Sequence, residues 1–223
     1  MEILLCIHLG LGDLINYIPA IKVLSDTDNI MIPCYEKYIP NASQMLSGMN
    51  VDLISIPDNR PDRVEELMKE FKSRGDRVIG LGCYSEEPLD VTGHIRQGYK
   101  KLEIGYKYAI NQNIIEKQAN KADWLPVPEY DYALICEDSS EGLMKINREH
   151  IDKVLTELSP PKETLMLSYT DIIYNAKEIH CIDTSWLWLV NNLPTKGRLF
   201  FHRYARNNGH RYDDMFFKEW IVL

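Results

Sequence analysis

Over residues 1–80 the chain alternates short apolar runs with stretches of helical period. EILLCIHL, NIMIPC, VDLISIP and DRVIGLG read as buried strands, and DLINYIPAIKVLS, YEKYIPNASQMLSG and PDRVEELMKEFKSR between them read as helices. In the last of these a proline stands at the helix start, and Val64, Leu67, Met68 and Phe71 recur at i, i+3, i+4 and i+7, one buried face. Strands and helices in strict alternation predict βαβ units, hence a parallel sheet with helices on its faces.

Residues 84–128 break the pattern with acidic, turn-rich stretches around a helix predicted near Tyr99 to Ala119, a segment suited to covering a cleft or joining two halves. Strand-like runs resume at YALIC, ETLMLS and EIHCI with helices between, followed by RLFFHRY and a short closing helix around Tyr212 to Trp220. The expectation is an α/β protein of two Rossmann-like halves with mostly parallel sheets, one over residues 1–115 and one over 116–223.

Composition narrows the class. With 223 residues, 45% of them hydrophobic and 26% charged, the chain resembles an ordinary globular protein. The apolar start is expected to be a buried first strand rather than a signal peptide, because Glu2 replaces a cationic leader and His8 and Asp13 interrupt the run. No stretch reaches the roughly 20 apolar residues of a membrane helix. Five cysteines with no CxxC pair fit neither a disulfide framework nor a zinc site, so a reducing, cytoplasmic compartment is expected. A net charge of −8 argues against nucleic acid as a partner. Yet from Thr184 to Tyr212 there is no Asp or Glu, while Lys196, Arg198, Arg203, Arg206, Arg211, His202 and His210 all lie there. An acidic protein that keeps one segment clear of carboxylates reserves it for an anion.

The first strand runs into HLGLGDLINYIPAIKVL, where Gly10 and Gly12 form a strand-to-helix turn and Asp13 stands at the helix start. Asp13 could simply satisfy free backbone N–H groups there. A dinucleotide site, and with it an NAD(P)-dependent oxidoreductase, fits poorly. Ile15 replaces the third glycine of GxGxxG, and a carboxylate would project at the pyrophosphate. A carboxylate in this place suits a hydroxyl, whose proton it can accept. In the second half, Asp183, Thr184 and Ser185 precede an apolar helix bearing Trp186, Leu187, Leu189 and Val190. Hydroxyls and free N–H groups at such a start form a phosphate cradle.

The N-terminal pattern of an apolar strand, GxGD, five residues and Pro-Ala resembles the heptosyltransferase-like glycosyltransferases of family 9, which have the GT-B fold. The resemblance implies that Asp13 is the base that deprotonates the acceptor hydroxyl, and Pro19 inside the helix is shared with the family. IDTSWLWLVNNL is similar to the family's D-S-[GS] element, with Thr184 in place of the usual serine, which implies that Asp183, Thr184 and Ser185 bind the donor's diphosphate. RLFFHRYARNNGHR is similar to the C-terminal strand and loop of short relatives, and within it His202, Arg203 and Arg206 are the chosen anion ligands, with Arg198 a weaker candidate. Gly10 and Gly12 complete the set.

Other constellations carry less. His8 and His180 alternate with apolar residues along strands and read as satisfied core or sheet-end histidines rather than ligands. The pairs Glu65–Glu66, Glu86–Glu87 and Asp213–Asp214 read as solvated faces. Asp26-Thr27-Asp28, a DxD element, falls in the loop after the first helix, at the wrong end of the sheet for a metal beside the diphosphate, so no metal and no resident cofactor are expected. Gly93 and His94 lie on a possible cleft loop, and neither a GxSxG elbow nor a Walker A sequence occurs. The expected function is therefore inverting, metal-independent transfer of a sugar from a nucleotide-sugar to a glycan or lipid-linked acceptor. A non-catalytic nucleotide or sugar-phosphate binding module is the alternative. The chain is shorter than the usual two-domain transferase of this family, which implies acceptor-binding elements that are cut down or supplied elsewhere.

Overall fold

The structure, a computed structural model, describes residues 2–8, 10–86, 94–110, 115, 124–162, 164–206 and 216–223. The first sheet joins β1 (Glu2–Cys6), β2 (Asn29–Tyr35), β3 (Val51–Ile56) and β4 (Arg77–Gly80), all parallel, in the order β3-β2-β1-β4. Between them run α1 (Leu11–Ser25), α2 (Ile39–Met45) and α3 (Arg63–Ser73). The chain moves outward from β1 to β3 and then returns to β4 on the other side. The strand order therefore reverses at the C-terminal ends of β1 and β4, where open α/β sheets bind ligands.

A helix α4 (His94–Lys101) and a 3-10 turn (Tyr106–Ile110) follow, and the helix expected near Tyr99 to Ala119 falls largely on residues 111–114 and 116–119, outside the described residues. Leu102 N–H bonds to Gly98 O and Ile104 N–H to Tyr99 O, and Glu103 adopts φ 59°, which stops the helix.

The second sheet joins β5 (Tyr132–Cys136), β8 (Thr156–Leu158), β9 (Glu178–Cys181), β10 (Arg198–Phe201) and β11 (Ile221–Val222), again all parallel, in the order β11-β10-β9-β5-β8. A small antiparallel hairpin, β6 (Asp138–Ser139) and β7 (Gly142–Leu143), sits beyond β5. Helices α5 (Thr170–Asn175) and α6 (Ser185–Asn192) complete this half. Two expectations are corrected here. The described residues of ETLMLS are not a strand: Met166–Tyr169 form a 3-10 turn leading into α5, and the second strand of this sheet is β8 instead. The expected closing helix falls partly on residues 212–215, outside the described residues, and residues 216–222 are bends ending in β11, not a helix.

Each sheet has an inner and an outer face. Leu4, Cys6 and Ile56 pack under Val64, Leu67 and Phe71 of α3, with Met68 beside them, as the helical period predicts. On the second sheet Ala133, Ile135 and Ile182 are covered by Ile146 and Ile151 from an irregular segment. The inner faces share one continuous core, in which Ile15 and Ile18 of α1 and Leu187 and Val190 of α6 lie with strand residues of both sheets. Asn41 of α2 adds a polar staple, donating to Thr164 O at 3.2 Å and accepting from Met166 N at 2.7 Å. Among the described residues no helix is long and apolar enough to cross a membrane.

Candidate functional site

The strand β1 carries buried Ile7 out of the sheet, and the next residue, His8, turns into solvent with 60% of its side chain exposed. Gly10 caps α1 with ordinary extended backbone, φ −74° and ψ 137°, so no left-handed conformation calls for glycine here. Space does. A Cβ on Gly10 would stand 3.2 Å from Asp13 Oδ2 and 3.3 Å from His8 Nδ1, and one on Gly12 would meet Trp188 Cδ1 at 2.7 Å and Ser185 Cα at 3.5 Å. The first turn of α1 is thus pressed against the first turn of α6, and the two helix N-termini, one from each half, open side by side.

Asp13 lies in that first turn, 30% exposed, with Oδ2 at 3.1 Å from His8 Nδ1. The hydrogen bond to Asp13 raises the pKa of His8 above its ordinary 6.5, although burial works the other way. His8 is the residue that sequence reasoning passed over. A polar side chain ending an unbroken apolar strand, five positions before the aspartate, was the available signal.

At the start of α6, Asp183 and Thr184 are buried and Ser185 is half-buried. Thr184 caps the helix with extended backbone but makes no side-chain cap bond, and its buried Oγ1 has no hydrogen-bond partner among the described residues. Arg206 reaches back from the turn after β10, donating to Asp183 O at 2.6 Å, Glu141 Oε1 at 2.6 Å and Ser140 Oγ at 3.4 Å, with only 16% of its side chain exposed. Arg203 occupies the same turn and is half-buried. The structure therefore gathers Gly10, Gly12, Asp13, Asp183, Thr184, Ser185 and Arg206 around the two helix starts.

It does not add His202 to them as an anion ligand, a correction. His202 is fully buried, with Nε2 at 2.9 Å from His180 Nδ1 and Nδ1 at 3.0 Å from the Tyr204 hydroxyl. Desolvation, with His180, His150 and Arg148 nearby, lowers its pKa to about 4, so the ring is neutral at pH 7. His180, also buried, continues the chain to Glu178, which accepts from Asp152 N–H and the Arg198 guanidinium. Arg198 thus belongs to the opposite end of the sheet. Lys196 bonds to Asn175 there, and Lys218 closes the C-terminus of α6 through Val190 O and Leu193 O. The tract free of acids is in fact served by acids from elsewhere in the chain.

The DxD residues lie where β2 begins, the far edge from His8, with Asp26 bonded to Lys22 and Asp28 to Thr27. Glu66 pairs with Arg60 and Arg63, and Glu86 with Lys72. His94 opens α4, whereas Gly93, Glu87, His210, Arg211, Asp213 and Asp214 lie outside the described residues.

No family model and no curated protein matches the sequence. Solved structures do. The Escherichia coli heptosyltransferase WaaC, solved with ADP-2-deoxy-2-fluoro heptose, superposes with a TM-score of 0.56 at 12% identity, covering 100% of this chain and 93% of that one. A family 9 glycosyl transferase from Veillonella parvula gives 0.56 at 13% identity, covering 100% and 86%. The E. coli ADP-heptose heptosyltransferase II gives 0.51 at 12% identity, covering 100% and 90%. The chain has a heptosyltransferase-like GT-B fold. This match runs through both halves rather than one, despite the short chain. The second glycine of GLGDLI serves a helix-to-helix contact with Trp188 and Ser185.

Proposed function

We propose that the protein transfers a sugar from a nucleoside-diphosphate donor to an acceptor hydroxyl, by one displacement that inverts the anomeric centre and uses no metal ion. The observation that carries this reading is the contact of Gly12 with Ser185 and Trp188, which sets a carboxylate–imidazole pair beside the helix start that carries the Thr184 and Ser185 hydroxyls. The fold supports it, since neighbours of this shape are heptosyltransferases and WaaC was solved with ADP alone and with a fluorinated ADP-heptose.

In this reading the diphosphate lies at the start of α6, where the amides and the helix dipole favour negative charge. Asp183, Thr184 and Ser185 line its place. Arg203 and Arg206 neutralise the charge that grows on the leaving group, Arg206 exchanging exposed Glu141 for phosphate oxygens. The Asp13–His8 pair draws off the acceptor's proton as its oxygen attacks the anomeric carbon and the C–O bond to the diphosphate breaks. The acceptor is a glycan or lipid-linked hydroxyl.

The test is a thermal-shift panel of nucleotide-sugars, free nucleoside diphosphates and NADH, followed by assay of nucleotide release with and without acceptors. A ligand at about 100 times its Kd adds about 2.7 kcal/mol, a rise of several degrees. Expected are a rise with one nucleotide-sugar class, acceptor-dependent release, and loss of release but not of the shift in Asp13→Ala. Binding without turnover, unchanged by that substitution, would favour the non-catalytic module; a response to NADH would favour an oxidoreductase.

A further inference from the structure

The proposed transfer needs an atom that receives the hydroxyl proton. Resting on that reading, we infer that this atom is Nε2 of His8, the catalytic base, with Asp13 as the positioning residue that orients the ring and balances its charge.

Geometry leads to this. His8 Nδ1 faces two groups, Asp13 Oδ2 at 3.1 Å and Gly10 N–H at 3.4 Å. An ionised carboxylate can only accept, so the shorter, charge-assisted contact places the proton on Nδ1, and the longer one, at the outer limit of a hydrogen bond, gives way. With Nδ1 protonated, the lone pair of the neutral ring sits on Nε2. Nε2 has no hydrogen-bond partner among the described residues, and the side chain is 60% exposed at the point where the first sheet reverses its strand order. Gly10 is what makes the pair possible, because a Cβ there would lie within 3.3 Å of both partners.

Chemistry favours the imidazole over the carboxylate as proton acceptor. A carboxylate in the first turn of a helix is stabilised by the dipole and is a weak base, whereas an imidazole coupled to a carboxylate is basic near neutral pH. The charged groups nearby agree. Asp13 is the ionised group that acts on His8, the thiol of Cys83 in the turn after β4 and the phenol of Tyr17 on α1 are both pushed upward and stay neutral, and α6 presents Ser185 and Trp188 to Gly12. The step balances. The acceptor O–H bond breaks with its proton passing to Nε2, the oxygen bonds to the anomeric carbon, and the departing diphosphate takes the electron pair of its C–O bond; the imidazolium then returns the proton to water.

Two readouts test this, one independent of turnover. Nitrogen-15 correlation spectra of the wild-type protein should show His8 as the Nδ1–H tautomer with a pKa above 6.5, and Asp13→Asn should lower that pKa. An Nε2–H tautomer, or a pKa that Asp13→Asn leaves unmoved, overturns the inference whatever the protein transfers. In the transfer assay, His8→Asn keeps a donor toward Asp13 but no base, and should lower kcat by about 10²-fold or more with KM little changed. The acidic limb of the wild-type pH profile should follow the His8 titration. Transfer by His8→Asn at the wild-type rate overturns the inference and leaves the proposed function standing; the expected tautomer and pKa response with no nucleotide-sugar turned over supports the pair and overturns the proposed function.

Discussion

His8 and His202 each follow the C-terminal end of a parallel strand, one per half, and the fold drives them to opposite chemistry. His8 stands in solvent beside a carboxylate and is made more basic; His202 is sealed beneath the sheet, bonded to another imidazole, and falls to about 4. The difference teaches that position in the fold, more than residue type, decides what a histidine does. A buried ring whose two nitrogens are both engaged holds structure, while an exposed ring with one nitrogen engaged is available for reaction.

The contrast is broken most strongly on its buried side. Glu178 is 1% exposed and accepts from His180, Arg198 and the Asp152 amide. Replacing it by alanine removes the acceptor of buried His180 and the anchor of Arg198 and the Asp152 amide, and the expected cost is about 4 kcal/mol. Urea unfolding should show the midpoint falling accordingly, and a loss below about 1 kcal/mol would mean that this chain of imidazoles does not hold the second sheet.

Acid should act next. The unfolded chain binds a proton on His202 near its ordinary 6.5, but the folded chain only near about 4, where His180, His150 and Arg148 oppose it and Glu137 favours it. Between those values the unfolded state carries more protons, so the His202 contribution lowers stability as pH drops from about 6.5 toward 4, by roughly 3 kcal/mol in total, and is constant above that window. Urea midpoints for wild type and His202→Gln across this range should converge as the variant loses the acid limb.

Gly12→Val attacks the join between the halves. Its new side chain would overlap Trp188 Cδ1, 2.7 Å from the Cβ alone, and α1 would be forced off α6 at an expected cost of about 2 kcal/mol. Nucleotide binding at the start of α6 should weaken in step, which a calorimetric titration of the proposed donor would read. Stability lost with binding intact would separate the join from the site.

Much of this was legible from pattern alone. The strands of the first sheet, the buried face of α3, and the placing of Asp13 and of Asp183 to Ser185 at helix starts all follow from local spacing. Three kinds of feature escaped. The strand β8 is three residues long and mostly exposed at a sheet edge, so it shows no apolar run, whereas Met166 and Leu167, buried in a 3-10 turn, do. The partners of the arginine tract are remote: Glu141 lies 65 residues before Arg206, and Glu178 lies 20 before Arg198, so a charge run looked unpaired when its acids were elsewhere. The glycines suggested a tight turn, but their role is clearance for Trp188 in one case and for the His8–Asp13 pair in the other.

The smallest expected effect lies on the exposed side of the comparison and sharpens it most. His8→Ala removes an ion pair whose partners are 60% and 30% exposed, and such pairs contribute about 0.2 to 1 kcal/mol. The sign with pH is fixed by the direction of the shift. Because the folded pKa of His8 is raised, its contribution is fully present below the unfolded value of 6.5 and disappears as pH rises through the folded value. At pH 5.5 the variant should therefore be about 0.5 kcal/mol less stable than wild type, and at pH 9 the two should coincide, by urea unfolding at low salt. A loss of about 2 kcal/mol persisting at pH 9 would make His8 a packing residue like His202. The expected result leaves a histidine whose removal the fold hardly registers, held in its tautomer by an aspartate and cleared of neighbours by a glycine.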